Sequence, residues 1–299
     1  MTEPLTLSAF FEAWELFRAP ALAGTVAGVL LGWLGVYVVL KRMVFVSAAL
    51  SQSAGFGVTT AFYAQIHLGA SATLFSPATG ATVATLLLAG LLSVDTTAHG
   101  GRRDSLLGLA YLLGTAGTLA LGTRIVQEVQ DIESLLLGSA VAILPESFHL
   151  IVVTAASLLA LHLWWMRGFL QASFDRDGAR VRGVPVRLLE LSLLGSAAVA
   201  ISISTRALGA LPVFAFSVLP AMAALRLAAN VPRALFLAAA IGGASGFAGY
   251  LAAFLYELPV GPCQTLVAAL FVAAAFGVAR LRRSLSGPAA PSQRRASST

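Results

Sequence analysis

The stretch KRMVFVSAALSQSAGFGV, Lys41 to Val58, follows the apolar run 20–40 and leads into further apolar residues. A run of that length crosses a hydrocarbon core about 30 Å thick as a helix. The quoted stretch is too polar for a plain lipid-facing helix, because it holds in close succession Ser47, Ser51, Gln52 and Ser53. Ser47 and Ser51 are one helical turn apart and share a face. The stretch therefore predicts a membrane-embedded helix with a small polar face.

Composition extends this expectation to the whole chain. Of the 299 residues, 58% are hydrophobic and 11% are charged, and the mean hydropathy is +0.86. A soluble domain carries about 25% charged residues. Long apolar runs recur along the chain, and a helix is the form in which a single such run satisfies its backbone in lipid. The composition predicts an all-α, polytopic membrane protein.

We expect about nine transmembrane helices, at 20–40, 44–64, 77–94, 105–122, 147–166, 187–204, 208–225, 234–254 and 261–279. An external segment, 1–19, precedes them, and the transmembrane domain covers 20–283. The tail 284–299 is rich in Ser, Pro, Ala and Arg, a composition typical of a disordered end.

The basic residues predict the orientation of the chain. Only three of the 19 lie in one set of connections, namely Arg18, Arg124 and Arg206. The others lie in the alternate connections and the tail: Lys41, Arg42, Arg102, Arg103, Arg167, Arg176, Arg180, Arg182, Arg187, Arg226, Arg233, Arg280, Arg282, Arg283, Arg294 and Arg295. Because basic loops stay in the cytoplasm, we expect the N-terminus outside and the C-terminus inside.

Several other classes of protein fit the sequence poorly. The net charge of +6 would suit nucleic acid, but the cations lie in loops that flank apolar helices, so we expect no such partner. The single cysteine, Cys263, excludes an internal disulfide and a multi-thiolate metal cluster. The acidic N-terminus is unlike a signal peptide. The four histidines are scattered and no HExxH motif occurs, which leaves a channel or a transporter.

The opening stretch, extended as GVYVVLKRMVFVSAALSQSAGFGV, is similar to the second span of permease subunits of the metal-ion ABC importers, the zinc, manganese and iron type. Further landmarks of that family follow in the same order: DIESLLLGS (Asp131–Ser139), SFDRDGARVRGVPVRLLEL (Ser173–Leu191), ALGALPVFAFSVLPAMAALRLA (Ala207–Ala228) and YELPVGP (Tyr256–Pro262). The resemblance covers about Pro20 to Leu281, nearly the whole chain.

The resemblance implies a permease of an ATP-driven importer in the inner membrane, with divalent metal ions as the carried substrate. It implies three partners, namely an ABC ATPase subunit, an external binding protein, and a second copy or sister permease. The chain has no GxxxxGK[ST] phosphate loop, so ATP chemistry falls to the ATPase subunit. We expect this chain to bind no cofactor and not to be an enzyme.

The connection 167–186 is the longest polar one on the predicted cytoplasmic side. Asp175 is placed to cap a short helix through Gly178–Arg182, and Gly183 and Pro185 to end it. From the residues alone, an orienting basic loop is an equal alternative. The resemblance implies that the connection couples to the ATPase, through Phe174, Asp175, Ala179 and Gly183.

The seventh predicted span contains Pro212 and Pro220, which we expect to interrupt its hydrogen bonding. Broken helices are tolerated in membranes where the backbone is buried in protein or lines a cavity. Pro220 is therefore a candidate for the translocation path, with a passive kink as the alternative.

The second span departs from the family's pattern. Members of that family place Asp and His four residues apart there, and the corresponding positions hold Ala48 and Gln52 in this chain. The acidic position of the landmark 131–139 is Ser139. The predicted path consists of Ser47, Ser51, Gln52, Ser139 and Pro220, and the metal ligands stay unknown. Three hypotheses remain open beside a stand-alone channel: a divergent metal permease, an ABC permease for a chelated or non-metal solute, and a non-transporting relative.

Overall fold

The computed structural model describes residues 6–71, 73–94, 100–125, 143 and 145–285, and every regular element within them is an α-helix. In chain order these are α1 (Leu7–Glu12), α2 (Trp14–Leu40), α3 (Val44–Leu68), α4 (Pro77–Val94), α5 (Gly100–Gly122), α6 (Pro145–Trp164), α7 (Met166–Phe174), α8 (Arg176–Val181), α9 (Val186–Leu208), α10 (Ala210–Leu227), α11 (Val231–Tyr256) and α12 (Val260–Leu285). The predicted all-α class is confirmed for these ranges.

Each predicted span falls on one long helix of the described chain. Seven of these helices are long and apolar enough to cross a membrane, namely α2, α5, α6, α9, α10, α11 and α12. The helix α4 has a shorter apolar part, Pro77–Ser93. The helix α3 is not among the seven, and it is the one that carries the polar face of the opening stretch.

The helices α2 and α11 pack with their backbones in direct contact. A Cβ atom added at Gly28 would clash with the carbonyl oxygen of Gly242, and one added at Gly242 would clash with that of Gly28. A Cβ added at Gly246 would likewise clash with the carbonyl oxygen of Gly24. Since the contact positions increase along α2 as they decrease along α11, the two helices are antiparallel. Such close approach is how helices associate in lipid, where the hydrophobic effect does not favour helix pairing.

The helix α3 is enclosed by neighbouring helices. A Cβ at Gly57 would clash with the carbonyl oxygen of Gly80 on α4, and one at Gly114 on α5 would lie 2.9 Å from the carbonyl carbon of Gln52. A Cβ added at Gly117 on α5 would lie 2.5 Å from the ring of Phe56. This packing places much of α3 against protein, which is where polar side chains in a membrane helix cost least.

The first long helix starts earlier than predicted. α2 begins at Trp14, inside the segment 1–19 that was expected to precede the first span, and α1 lies before it. The extension is stabilised by an aromatic cluster around Phe254. The centre of its ring lies 5.2 Å from that of Phe10 and 4.9 Å from that of Phe17. Aromatic pairs at these separations stabilise contacts beyond the area they bury.

The interpretation of Pro212 was wrong. α10 begins at Ala210, so Pro212 lies in the first turn, where the backbone N–H groups have no helical acceptor. Proline removes no hydrogen bond there. Pro220 lies inside α10 and deprives the carbonyl of Phe216 of its helical partner, as expected.

Helix boundaries differ elsewhere as well. The connection 167–186 was predicted to contain one short helix, but it contains two, α7 and α8. The last helix continues to Leu285, beyond the predicted end at 279 and into the first residues of the predicted tail. Residues 286–299 lie outside the described ranges, so the prediction of disorder stays untested.

The backbone contact between α2 and α11 yields a stability prediction. We expect Gly28→Ala to lower the free energy of unfolding by about 1–3 kcal/mol or more, because the clashing atom is a carbonyl oxygen that has no side-chain freedom. The matched control is Gly195→Ala on α9, where an added Cβ meets no atom within 4 Å. That change should be neutral or stabilising by about 0.5–1 kcal/mol. The measurement is thermal unfolding of both variants in detergent, in which the monodisperse fraction is recorded against temperature. Equal unfolding midpoints for the two variants would contradict the backbone contact between α2 and α11.

Candidate functional site

The two serines of the predicted polar face are buried. Ser47 and Ser51 are each 1% exposed, and the Ser51 hydroxyl donates to the carbonyl oxygen of Ala48 at 2.9 Å. One turn and two turns further along the same stripe are Ala54 and Val58, which form a hydrophobic cluster with Ala81 of α4. The stripe that carries the two serines therefore continues into the contact with α4.

Gln52 belongs to a different face of α3. Its backbone lies directly against Gly114 of α5, and its side-chain oxygen is buried without a hydrogen-bond partner among the described residues. Ala48, one turn earlier, is also buried and shares that face. The structure thus separates the predicted path residues into two groups, with the serines on one stripe and the position of the family's ligand pair on another.

Further buried hydroxyl groups lie on the helices around α3, and the sequence interpretation missed them. The hydroxyl oxygens of the partly buried Thr82 on α4 and the buried Ser202 on α9 are 2.8 Å apart and form a hydrogen bond between the two helices. Other buried hydroxyls on α9 and α10 belong to Ser196, Ser204, Thr205 and Ser217. The segment ISIST at 201–205 was the available signal, because its Ser and Thr residues interrupt an otherwise apolar run.

The remaining predicted path residues are Pro220 and Ser139. Pro220 is buried in α10, and nearby the hydroxyl of Ser217 donates to the carbonyl oxygen of Phe214 at 2.7 Å. Ser139 lies outside the described residues. Within the described ranges there is no group of three or more His, Cys, Asp and Glu side chains that could hold a metal ion. A path near α3 therefore offers neutral oxygen atoms, which are weak ligands for a cation such as Zn²⁺.

The short helix predicted in the connection 167–186 is confirmed as α8, Arg176–Val181. Asp175 caps it, since its carboxylate accepts from the backbone N–H of Gly178 at 2.9 Å and from the guanidinium of Arg182 at 2.9 Å. Gly183 ends it with φ = 76°, the left-handed conformation that favours glycine, and its N–H donates to the carbonyl oxygen of Arg180. Local signals of the sequence therefore define both ends of α8.

The four predicted coupling residues do not share one surface. Phe174 is 57% exposed, whereas Ala179 is completely buried against the bundle. The face of α8 that carries Ala179 therefore anchors the helix, and the opposite face is free for a partner. That free face includes Val181, an apolar residue 89% exposed, which the sequence interpretation missed.

Glu190 joins α8 to two long helices. Its carboxylate accepts from the ammonium of Lys41, at the end of α2, at 3.3 Å, and it also pairs with the guanidinium of Arg176 on α8. Glu190 itself lies in the second turn of α9. We call this region, where α2 ends, α9 begins and α8 lies, the basic end of the bundle. Glu190 therefore links α8 to the ends of α2 and α9 by ion pairs.

The class of protein follows from these features together with the comparisons: a polytopic membrane transport protein with a capped helix held at one end of its bundle. The family model described as the ABC 3 transport family matches residues 13–278. The chain belongs to that family, and the resemblance found in the sequence is confirmed. As a member of a family of transport subunits, the chain is not itself catalytic.

Proteins similar to this chain include carriers of more than one kind of substrate. The manganese transport system membrane protein MntC of Halalkalibacterium halodurans is 24% identical, over 90% of each chain. The chelated iron transport system membrane protein YfeD of Yersinia pestis is 27% identical, over 87% of this chain and 84% of that one. The structure described as PsaBC from Streptococcus pneumoniae in complex with Fab matches with a TM-score of 0.79 and 20% identity, over 94% of this chain and 99% of that one. This match shows the same fold.

The face of α3 that carries Ala48 and Gln52 permits a direct test of a metal path. We expect Ala48→Asp combined with Gln52→His to raise Zn²⁺ or Mn²⁺ affinity by about tenfold or more, because a carboxylate and an imidazole one turn apart form a ligand pair. The measurement is metal retained by the purified protein. The matched control is Ala48→Asn with Gln52→Leu, which has similar volumes and no strong ligand. No gain in a variant that folds would show that this face does not frame a metal site.

Proposed function

We propose that this chain is the permease subunit of an ATP-driven importer for metal ions in the inner membrane. The observation that carries the proposal is the family match over residues 13–278, together with relatives named for manganese and iron transport. We infer that a separate ABC ATPase subunit supplies the energy, that an external binding protein delivers the substrate, and that two permease copies or a sister pair enclose the path.

We also propose nine membrane crossings, with the N-terminus outside and the C-terminus inside. Seven helices are apolar enough to cross by themselves, and the proposal adds α3 and α4. Two observations support the addition. The helix α3 is surrounded by neighbours that accommodate its polar residues, and the charge distribution of the loops alternates only if both helices cross.

Reporter fusions test this topology. A reporter fused after Leu285 should signal the cytoplasm, and one inserted near Gly69, in the connection between α3 and α4, should signal the outside. The two sites are separated by seven of the proposed crossings, so they should always give opposite signals. The same signal at both sites would remove the nine-crossing arrangement.

The helix α8 is the proposed receiver of force from the ATPase. Its exposed face is available to a partner, and its buried face and the ion pairs of Glu190 connect it to the bundle. Closure of two ATPase subunits would push α8 and, through Lys41 and Arg176, shift the ends of α2 and α9. Transport by alternating access would follow from that shift.

The neutral polar residues on the two faces of α3 fit a substrate that is not held tightly within the membrane. Ser47, Ser51 and Gln52 supply hydroxyl and amide oxygens, in place of a carboxylate and an imidazole. In the proposed mechanism the metal ion is held mainly by the external binding protein and then passes through a polar passage in the permease. Weak binding along the passage favours release.

The same observation favours a second candidate, a metal chelate or another solute whose charge is already neutralised. Such a solute needs hydrogen-bonding groups and space, and no ionised ligand. The side-chain oxygen of Gln52 is buried and has no hydrogen-bond partner among the described residues, so a passing solute could engage it. A relative named for chelated iron transport is similar over most of the chain.

Uptake by the reconstituted complex tests the proposal and the role of α8 together. Elemental analysis of vesicles that contain the permease and its ATPase should show metal accumulation that depends on ATP. Asp175→Arg removes the cap of α8, and a bulky residue at Gly183 strains its left-handed end, so both variants should hydrolyse ATP with at least about tenfold less transport.

The control is Asp175→Asn, which keeps a good capping side chain while it loses the charge. It should transport nearly as well as the parent. If Asp175→Arg and the Gly183 variant transport normally, α8 is only an orienting segment. If ATP drives no accumulation of free metal in the parent but does so for a metal chelate, the second candidate replaces the first.

A further inference from the structure

A cavity of about 600 Å³ lies at the basic end of the bundle. This volume is within the range of small-molecule sites, about 300–1,000 Å³. Its walls come from the end of α2, the start of α3, the end of α4, the helices α7 and α8, and the first turns of α9. Its charged lining consists of Lys41, Arg176, Arg180, Arg187 and Glu190. The cavity is not part of the polar face of α3.

The charges around the cavity do not balance. Glu190 is the acid in its lining and is shared between Lys41 and Arg176. Arg180 has a 3.6 Å contact with Asp177, whose side chain is 95% exposed, and so is weakly neutralised. Arg187 has no ion pair among the residues that the structure describes. The cavity therefore carries excess positive charge, part of it on Lys41, whose side chain is only 16% exposed.

Part of the cavity wall is apolar. It includes Met43, which directly precedes α3, together with Leu92 of α4 and Leu191 and Leu194 of α9. Leu191 is 43% exposed, so this wall continues onto the outer surface of the bundle. A cavity lined by both cations and leucines matches a molecule that has an anionic group attached to hydrocarbon.

We propose that this cavity binds the phosphate headgroup of an anionic phospholipid. The phosphate would contact the basic side chains that Glu190 leaves uncompensated, and the upper acyl chain would cover the leucine wall. Basic pockets between membrane helices are sites of this kind. A free phosphate would use the same cations but would leave the apolar wall uncovered, which favours the lipid. The bound headgroup would hold α8 against α2 and α9, so it would also set how firmly the proposed coupling helix is attached. The binding itself does not depend on the transported solute.

The test is retention of lipid by the purified full-length protein, measured by native mass spectrometry after equilibration with phosphatidylglycerol or phosphatidylcholine. The parent protein should retain more phosphatidylglycerol than phosphatidylcholine. Arg187→Gln should weaken that retention by about fivefold, the effect of one basic residue near a membrane surface. Glu190→Gln should strengthen it, because Lys41 and Arg176 lose their protein partner.

The matched control is Arg233→Gln, which removes an exposed charge in the first turn of α11, outside the cavity lining. It should leave retention within about twofold of the parent, since a charge away from the site contributes little. Arg187 is exposed, so its variant should fold; an unchanged elution profile confirms this for each variant.

Three outcomes would overturn the proposal. Equal losses for Arg187→Gln and Arg233→Gln would indicate general surface electrostatics. Complete displacement of the lipid by excess inorganic phosphate would assign the cavity to a free anion. Displacement by the ATPase subunit, with Arg187→Gln weakening ATPase binding more than lipid binding, would make the cavity a protein docking surface.

Discussion

The contact between the backbones of α2 and α11 is the one on which the rest of the structure depends. Glycine at positions 24, 28, 242 and 246 lets two long helices approach until carbonyl oxygens replace side chains as neighbours. In lipid, such contact replaces the hydrophobic effect as the force that joins helices. From α2 the packing continues outwards, through Gly35 to Ser217 of α10 and through Tyr37 to His162 of α6.

The position of α3 explains how a polar segment is accommodated. The hydroxyls of Ser51 and Thr59 bond to carbonyl oxygens of their own helix, and glycines on α4 and α5 bring the neighbouring backbones close. Gln52 differs, because its side-chain oxygen is buried and has no partner within the described chain. Leaving such a group unpaired costs about 1–3 kcal/mol. That cost is consistent with a role for Gln52 in the proposed passage of solute.

The basic end combines a rigid local unit with a long-range connection. The cap of Asp175 and the left-handed Gly183 define α8, and Glu190 connects it to Lys41, which is 149 positions away in the chain. The adjoining cavity carries excess positive charge, because its lining holds more basic side chains than Glu190 can neutralise. The same carboxylate thus relates the proposed coupling helix, two long helices and the proposed lipid site.

The sequence by itself determined which segments become the long helices and where α8 is capped, but it did not indicate the short helices α1 and α7. Apolar runs, the capping residue Asp175 and the terminating residue Gly183 act over a few neighbouring residues. Their effects on helix formation can therefore be predicted from the sequence without knowledge of the fold. The tertiary structure alone decided that Gln52 lies against α5 while the serines belong to the stripe that reaches α4, that Ala179 is buried, and that Glu190 meets Lys41. Pro212 shows the boundary between the two: its effect depends on where α10 begins, which is directly after Gly209 with φ = 92°. Helical periodicity assigns side chains to a face, but the neighbour of that face is chosen by packing between segments distant in sequence.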